Sequence, residues 1–418
     1  MTLGDPLMSI ERQYQLSVVG PFSTITGGAE VVKVRIVDIL LRHNYDVILA
    51  GLSRNSFPNL RNIIGYNVFS HVKTYFLMPW FPQLFGLVQP LVGLKAIERF
   101  VSACNPSLVI IDTEGSKTLD KLWKTKEFAL IKYVNFPHSA LLMMEHDPGK
   151  IPSQYLTDIR GYSRKYHSNS LWKIYWKSYL YMLERILPQD PVEADALIAN
   201  SKYIAGLIKG LYDTEPSVIH PPVDTSNLGH YSLNPFEARK NAVAMLGRLS
   251  SEKNFEEVIE AISQTEVKPV LRIIGAITRR GWSYVEFLSK LARKKKVKVE
   301  FYLNLPREEL GKVLGSCRVF VHATRGEHFG IAIVEAMATG LPVIVHKSGG
   351  QYMDIVEEGR YGLYYSTIEE LAEKIDYVLS DASLWSHYSM LAVQRSKAFS
   401  PDVFEERLIS LLKAKSII

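Results

Sequence analysis

Short runs of consecutive apolar residues recur along the chain. Each is closed by Gly, Pro, Asn or Asp and followed by a stretch with helical spacing. In the first half the runs are QLSVVG (15–20), DVILAG (46–51), SLVIID (107–112), FALIKYVNF (128–136) and ALIANS (196–201). After PSVIHPPVD (216–224) the pattern restarts with NAVAMLGRLS (241–250), PVLRIIG (269–275), VKVEFYL (297–303), VFVHAT (319–324) and LPVIVHKSGG (341–350). Runs that are apolar throughout, rather than alternating, read as strands buried on both faces, as in parallel sheets. Two such sets predict an α/β chain of two doubly wound domains, whose ligands bind beyond the carboxyl ends of the strands.

One segment breaks the pattern. TYFLMPWFPQLFGLVQPLVGL (74–94) holds no formal charge and is long enough to span a bilayer, but Pro79, Pro82 and Pro90 interrupt it. It reads as one or two short helices, either buried or lying at a membrane interface. The aromatic and basic stretch RKYHSNSLWKIYWKSYLYM (164–182) offers Trp172, Tyr175 and Trp176 to the same interface, with core packing as the alternative. The expectation is a cytoplasmic protein in peripheral contact with a membrane.

Composition excludes more than it assigns. With 47% hydrophobic and 22% charged residues the chain is an ordinary globular one. A formal charge of +6 suits anionic small molecules or a membrane surface and is too small to argue for nucleic acid. Cys104 and Cys317 stand far apart, and neither H-x-x-x-H nor C-x-x-C occurs, so no metal site is expected.

The candidate chemistry sits at predicted strand ends. VFVHATRGEHFGIAIVEAMATG reads as a strand, a loop over 324–329 and a helix opening near Gly330, whose first amides lack helical partners and suit a phosphate or sugar oxygen. Glu327 falls in the loop and Glu335 about one and a half turns into the helix. Either glutamate alone would read as an ordinary helix-favouring or exposed residue. In LGRLSSEKN, Arg248 and Lys253 follow a strand, five apart around a turn, and two such cations can grip a diphosphate. Gly27 and Gly28, in a loop before an amphipathic helix, match neither the P-loop nor the G-x-G-x-x-G spacing. Glu30 reads as a first-turn glutamate.

Together GGAE (27–30), GRLSSEKN (247–254) and the E-x7-E of Glu327 and Glu335, followed by AMATGLPVI, resemble the retaining GT-B glycosyltransferases of family 4. That resemblance implies two Rossmann-like domains facing across a cleft. Residues 1–218 would form the acceptor side and 219–398 the nucleotide-sugar side, with 399–418 a helix returning to the first domain. It implies Arg248 and Lys253 on the diphosphate, Glu335 on the ribose and Glu327 near the sugar hydroxyls. The amides of Phe329, Gly330, Ile331 and Ala332 would lie close to sugar and phosphate, and no metal would be needed.

Within that family, YVNFPHSALLMM, SNSLWKIYWKSYL, ALIANSKYIAGLIKGLY and PSVIHPPVDTSNL resemble the cytosolic-face α-1,2-mannosyltransferases that extend the dolichol-linked oligosaccharide. The donor implied is GDP-mannose and the acceptor a lipid-linked glycan. The family's donor-side histidine is replaced here by Asn135, and His138 follows three residues later. Either His138 takes that role or the Asn135 amide does. Two other readings stand beside this one. One is a soluble family member using a UDP- or ADP-sugar to make a free glycoside or polysaccharide. The other is a sugar-nucleotide-binding protein or epimerase on the same fold.

Overall fold

The structure is a computed structural model that describes residues 16–23, 27–54, 72–81, 86–163, 170–277 and 281–418. The chain packs as two compact units. The first comprises residues 1–134, 181–197 and 412–418, the second 135–180 and 198–411.

The first sheet has the strand order β3-β2-β1-β4-β5-β6-β7. Its strands are β1 (Leu16–Phe22), β2 (Asp46–Ser53), β3 (Lys73–Met78), β4 (Leu108–Ile111), β5 (Ala129–Val134), β6 (Ala196–Ala199) and β7 (Ser217–Val218). The pairs β1–β2, β2–β3, β1–β4, β4–β5 and β6–β7 are parallel. Val18, Ile48, Val109 and Leu130 pack in one cluster with Leu94, Ile97 and Val101 of the Val88–Ala103 helix.

The second sheet has the order β10-β9-β8-β11-β12-β13 and is parallel throughout. Its strands are β8 (Ala242–Leu246), β9 (Val270–Gly275), β10 (Val299–Leu303), β11 (Val319–His322), β12 (Val343–His346) and β13 (Leu363–Tyr365). In β11 successive residues go to opposite, equally dry faces. Val319 and Val321 join one core, with the Phe255–Gln264 and Ile368–Leu379 helices, and Phe320 joins the other, with the Ile331–Ala338 helix. This double burial is why the strands read as unbroken apolar runs. Both sheets have the expected doubly wound form, and the loops after β8, β11 and β12 leave at the same, carboxyl, edge of theirs.

The segment over 74–94 is corrected. Its first part is no helix: Lys73–Met78 forms β3, the edge strand beside β2, and a regular helix begins only at Val88. Tyr75 and Phe76 favour a pleated, half-buried edge, and Pro79 follows the strand directly. Residues 82–85, with Pro82, lie outside the described residues. The three-residue β13 was also not foreseen, being too short to show a period.

Candidate active site in the second unit

The loop from β11 to the Ile331–Ala338 helix carries the first glutamate. Gly330 turns the chain into the helix at φ +114°, a left-handed conformation that costs a side-chain-bearing residue dearly. The loop is clamped by the turn after β12. Gly350 N–H donates to Glu327 O at 2.7 Å, Gly326 N–H donates to Ser348 Oγ at 2.9 Å, and Ser348 Oγ lies 2.8 Å from His346 Nδ1. A Cβ at Gly349, itself at φ +72°, would run into the Glu327 backbone. The SGG that closes β12 is thus part of the site's support, and its two adjacent glycines were the signal for it.

Glu327 is partly buried and meets two nitrogens on a single oxygen. Lys253 Nζ lies 2.8 Å and His322 Nε2 3.1 Å from Oε2. Oε1 has no hydrogen-bond partner among the described residues. Burial would raise this carboxyl, but the Lys253 charge and the His322 hydrogen bond outweigh it and hold Glu327 well below the usual range. His322 ends β11, where burial, with the Lys253 charge adding, lowers its imidazole despite the Glu327 hydrogen bond. Nothing in the sequence pattern separated His322 from a strand-end residue.

Lys253 arrives from the short helical turn Ser251–Lys253 after β8. The next residue, Asn254, takes φ +51°, a conformation Asn tolerates well, and its Nδ2 donates to Ala323 O at 2.8 Å. Asn254 therefore ties the cation's loop to the glutamate's loop. Arg248 is not brought to Glu327. Its guanidinium is 66% exposed and pairs within its own loop with Glu252 at 3.1 Å.

Glu335 lies five residues into its helix, as the spacing predicted, and its side chain is buried. Its Oε1 is 2.5 Å from Nη1 of Arg307, the first residue of the Arg307–Gly315 helix, and that arginine was not anticipated. Burial raises the Glu335 carboxyl and Arg307 offsets this in part. Oε2 has no partner among the described residues. The Phe329 ring is buried against His220 and Phe399, so only its backbone is free to serve a ligand. Ile331 and Ala332 form the helix's first turn, where amides have no helical acceptor.

Asn135 and His138 follow β5 and belong to this same unit. Asn200 Nδ2 donates to the Asn135 backbone O at 3.2 Å and to Oδ1 at 3.4 Å. Asn135 Nδ2 is buried without a partner among the described residues. His138 Nδ1 lies 3.0 Å from the Tyr179 hydroxyl, and burial, with nearby His328 adding, pushes this imidazole down to about 4. It is neutral at physiological pH. The neighbouring Phe136 stacks on His328 at 4.8 Å between ring centroids, which brings the 135–138 segment against the Glu327 loop.

Gly27 and Gly28 stand in the first unit. Gly27 precedes the Gly28–Arg42 helix and donates its N–H to Glu30 Oε2 at 3.1 Å, while Ser23 Oγ donates to Oε1 at 3.0 Å. Residues 24–26 of that loop lie outside the described residues. Glu30 does more than favour a first turn: it belongs to a buried network in which Lys33 Nζ is 3.4 Å from it and 2.8 Å from Asp112. Burial pushes the Asp112 carboxyl up to about 6 against the Lys33 charge. The only sequence sign of this network was a lysine on the apolar face of VVKVRIV.

Residues 234–392 match the model of the family described as glycosyl transferases group 1. The chain is 30% identical over 202 residues to a GDP-Man:Man(3)GlcNAc(2)-PP-Dol alpha-1,2-mannosyltransferase of Xenopus laevis, covering 45% of this chain and 42% of that protein. It is 28% identical over 204 residues to the Homo sapiens enzyme of the same name, with 45% and 42% covered. The chain thus spans less than half the length of these two relatives. Among solved structures, the sucrose-phosphate synthase of Thermosynechococcus elongatus superposes with a TM-score of 0.68 over 96% of this chain and 99% of that one, at 16% identity. With its two parallel Rossmann-like sheets, this chain has the GT-B fold, and its residues 234–392 are similar to the glycosyl transferases group 1.

Proposed function

We propose that this chain is a retaining mannosyltransferase that moves mannose from GDP-mannose to a lipid-linked glycan. The observation that carries the reading is the state of the two glutamates. Each is tethered to a cation through one oxygen and keeps its second oxygen without a partner among the described residues, as a carboxylate waiting for hydroxyl groups would. Glu335 would take the ribose and Glu327 the sugar. Lys253 and Arg248 would take the diphosphate, helped by the amides of Phe329–Ala332. The resemblance to GDP-Man:Man(3)GlcNAc(2)-PP-Dol alpha-1,2-mannosyltransferases supports GDP-mannose and a lipid-linked acceptor.

In the proposed reaction the C1–O bond to the diphosphate breaks as the acceptor oxygen bonds C1 on the same face. The acceptor's proton passes to the departing phosphate oxygen, so no carboxylate nucleophile is required. The cations and helix amides would stabilise the charge developing on the diphosphate, without a metal. Neutral His138 and Asn135 Nδ2, which has no partner among the described residues, are the candidates for contact with the donor sugar.

Membrane contact belongs to the same proposal, on the cytosolic face. Among the described residues no helix is long and apolar enough to cross a bilayer. The Ser170–Ile186 helix exposes Leu171, Trp172, Ile174 and Tyr181 beside exposed Lys173 and Lys177, a combination suited to anionic lipid. Trp176, expected at the interface, is instead buried and donates to Glu145 at 3.0 Å.

A thermal-shift screen against GDP, UDP, ADP and their sugars tests the donor, because a ligand specific to the native state stabilises by mass action. GDP and GDP-mannose should raise Tm most. A rise confined to uridine or adenosine ligands would replace the donor assigned here.

A further inference from the structure

Two groups share Glu327 Oε2, and they differ in how free they are to leave. Lys253 rides on a loop, with a side chain 18% exposed, and is the cation assigned to the donor's diphosphate. His322 ends a buried strand, and its side chain is 5% exposed. Ser348, Gly350 and Gln351 fix the backbone of the Glu327 loop, yet none of these bonds holds the carboxylate itself.

We infer that His322 is a positioning residue for Glu327: its Nε2–H grips Oε2 and keeps Oε1 turned to the sugar when Lys253 is drawn to the donor diphosphate. The inference rests on the reading of Glu327 given above. The imidazole is suited to the task because it is lowered by burial and remains a neutral donor. A protonated, mobile cation would itself be drawn to the diphosphate. Lys253 and His328 also stand near Glu327, and the ring of His328 is stacked on Phe136.

The test is steady-state turnover of GDP-mannose with a synthetic lipid-pyrophosphate-linked oligosaccharide, together with GDP affinity by calorimetry. His322→Asn removes the donor at the Nε2 position and should lower kcat about 10- to 100-fold, the scale of a group misplaced by about 1 Å. GDP affinity should be unchanged, which also reports on folding. His322→Gln restores an N–H at the same reach and should recover most of kcat. Equal kcat in wild type and His322→Asn, with Glu327→Gln impaired, overturns this inference alone. So does a His322→Gln variant that binds GDP normally and is as slow as His322→Asn. An unimpaired Glu327→Gln overturns the reading of Glu327 and this inference with it.

Discussion

Arg307 Nη1 lies 2.5 Å from Glu335 Oε1, and the two side chains share the contact unequally: the arginine is 57% exposed, the glutamate 9%. A buried carboxylate whose one charged partner among the described residues stands in solvent stays available to a ligand. Glu335→Ala should therefore weaken bare GDP and GDP-mannose alike, by about 1.5–3 kcal/mol for a lost charge-assisted contact. Glu327→Ala should leave GDP affinity near wild type and lower turnover. Calorimetry with both ligands checks the split, and equal losses with bare GDP would reject the assignment.

Lys253→Ala and Arg248→Ala should each weaken GDP-mannose binding, also by about 1.5–3 kcal/mol. Arg248→Ala should leave Tm unchanged, since an exposed pair such as Arg248–Glu252 adds little to stability. Lys253→Ala should lower Tm as well, because it strips a partly buried Glu327 of its charge partner. Unchanged donor affinity in both variants would remove them from the site.

His138 supplies a pH signature. Its folded-state imidazole is pushed down to about 4 by burial, against an unfolded value near 6.5. Above pH 6.5 it is neutral in both states and exerts no pH effect. As pH falls from 6.5 toward 4 the unfolded chain takes up a proton that the native site refuses, so stability is lost, by roughly 3 kcal/mol at the limit. Asp112 works in the opposite direction. Its native carboxyl is pushed up to about 6 by burial, so it binds a proton more readily than the unfolded chain as pH falls toward 4. Only a difference measurement isolates the histidine: the Tm advantage of wild type over His138→Gln should shrink between pH 6.5 and 4. A constant difference would contradict a His138 held neutral in the native state.

Anionic vesicles should carry the wild-type protein upward in flotation, and neutral vesicles should carry less of it. Leu171→Ser with Ile174→Ser should release it while GDP binding persists, since both side chains point into solvent at 80% and 62% exposure. Wild type left in the aqueous fraction with anionic lipid would remove the membrane contact.

Product analysis by NMR should show the α configuration of the donor kept in the glycoside, and turnover should continue in EDTA. A β-linked product would reject the retaining route, and loss of turnover in EDTA restored by a divalent ion would reject the metal-free one.

Most of the strands and the local chemistry of the E-x7-E were legible in the sequence. Unbroken apolar runs are what a strand dry on both faces requires, and Gly330 is what a left-handed entry into a helix requires. Those demands act within a few consecutive residues. Spacing likewise placed Glu335 in its helix and Glu327 in its loop.

Partnership across the chain was settled only by tertiary structure. Lys253 on Glu327, Arg307 on Glu335 and Asn254 on Ala323 join residues from different strand ends, and a parallel sheet assembles such ends at one edge whatever their distance in sequence. The same holds for residues 135–138, which follow β5 of the first sheet yet pack with the second unit through Phe136 and His328. It holds for the network of Glu30, Lys33 and Asp112, where a helix and a strand end meet out of water. Local sequence determined which elements form and which turns they make. Burial in three dimensions decided which oxygen of each glutamate is held and which is left for a ligand, because a buried charge must find its partner wherever the fold brings one.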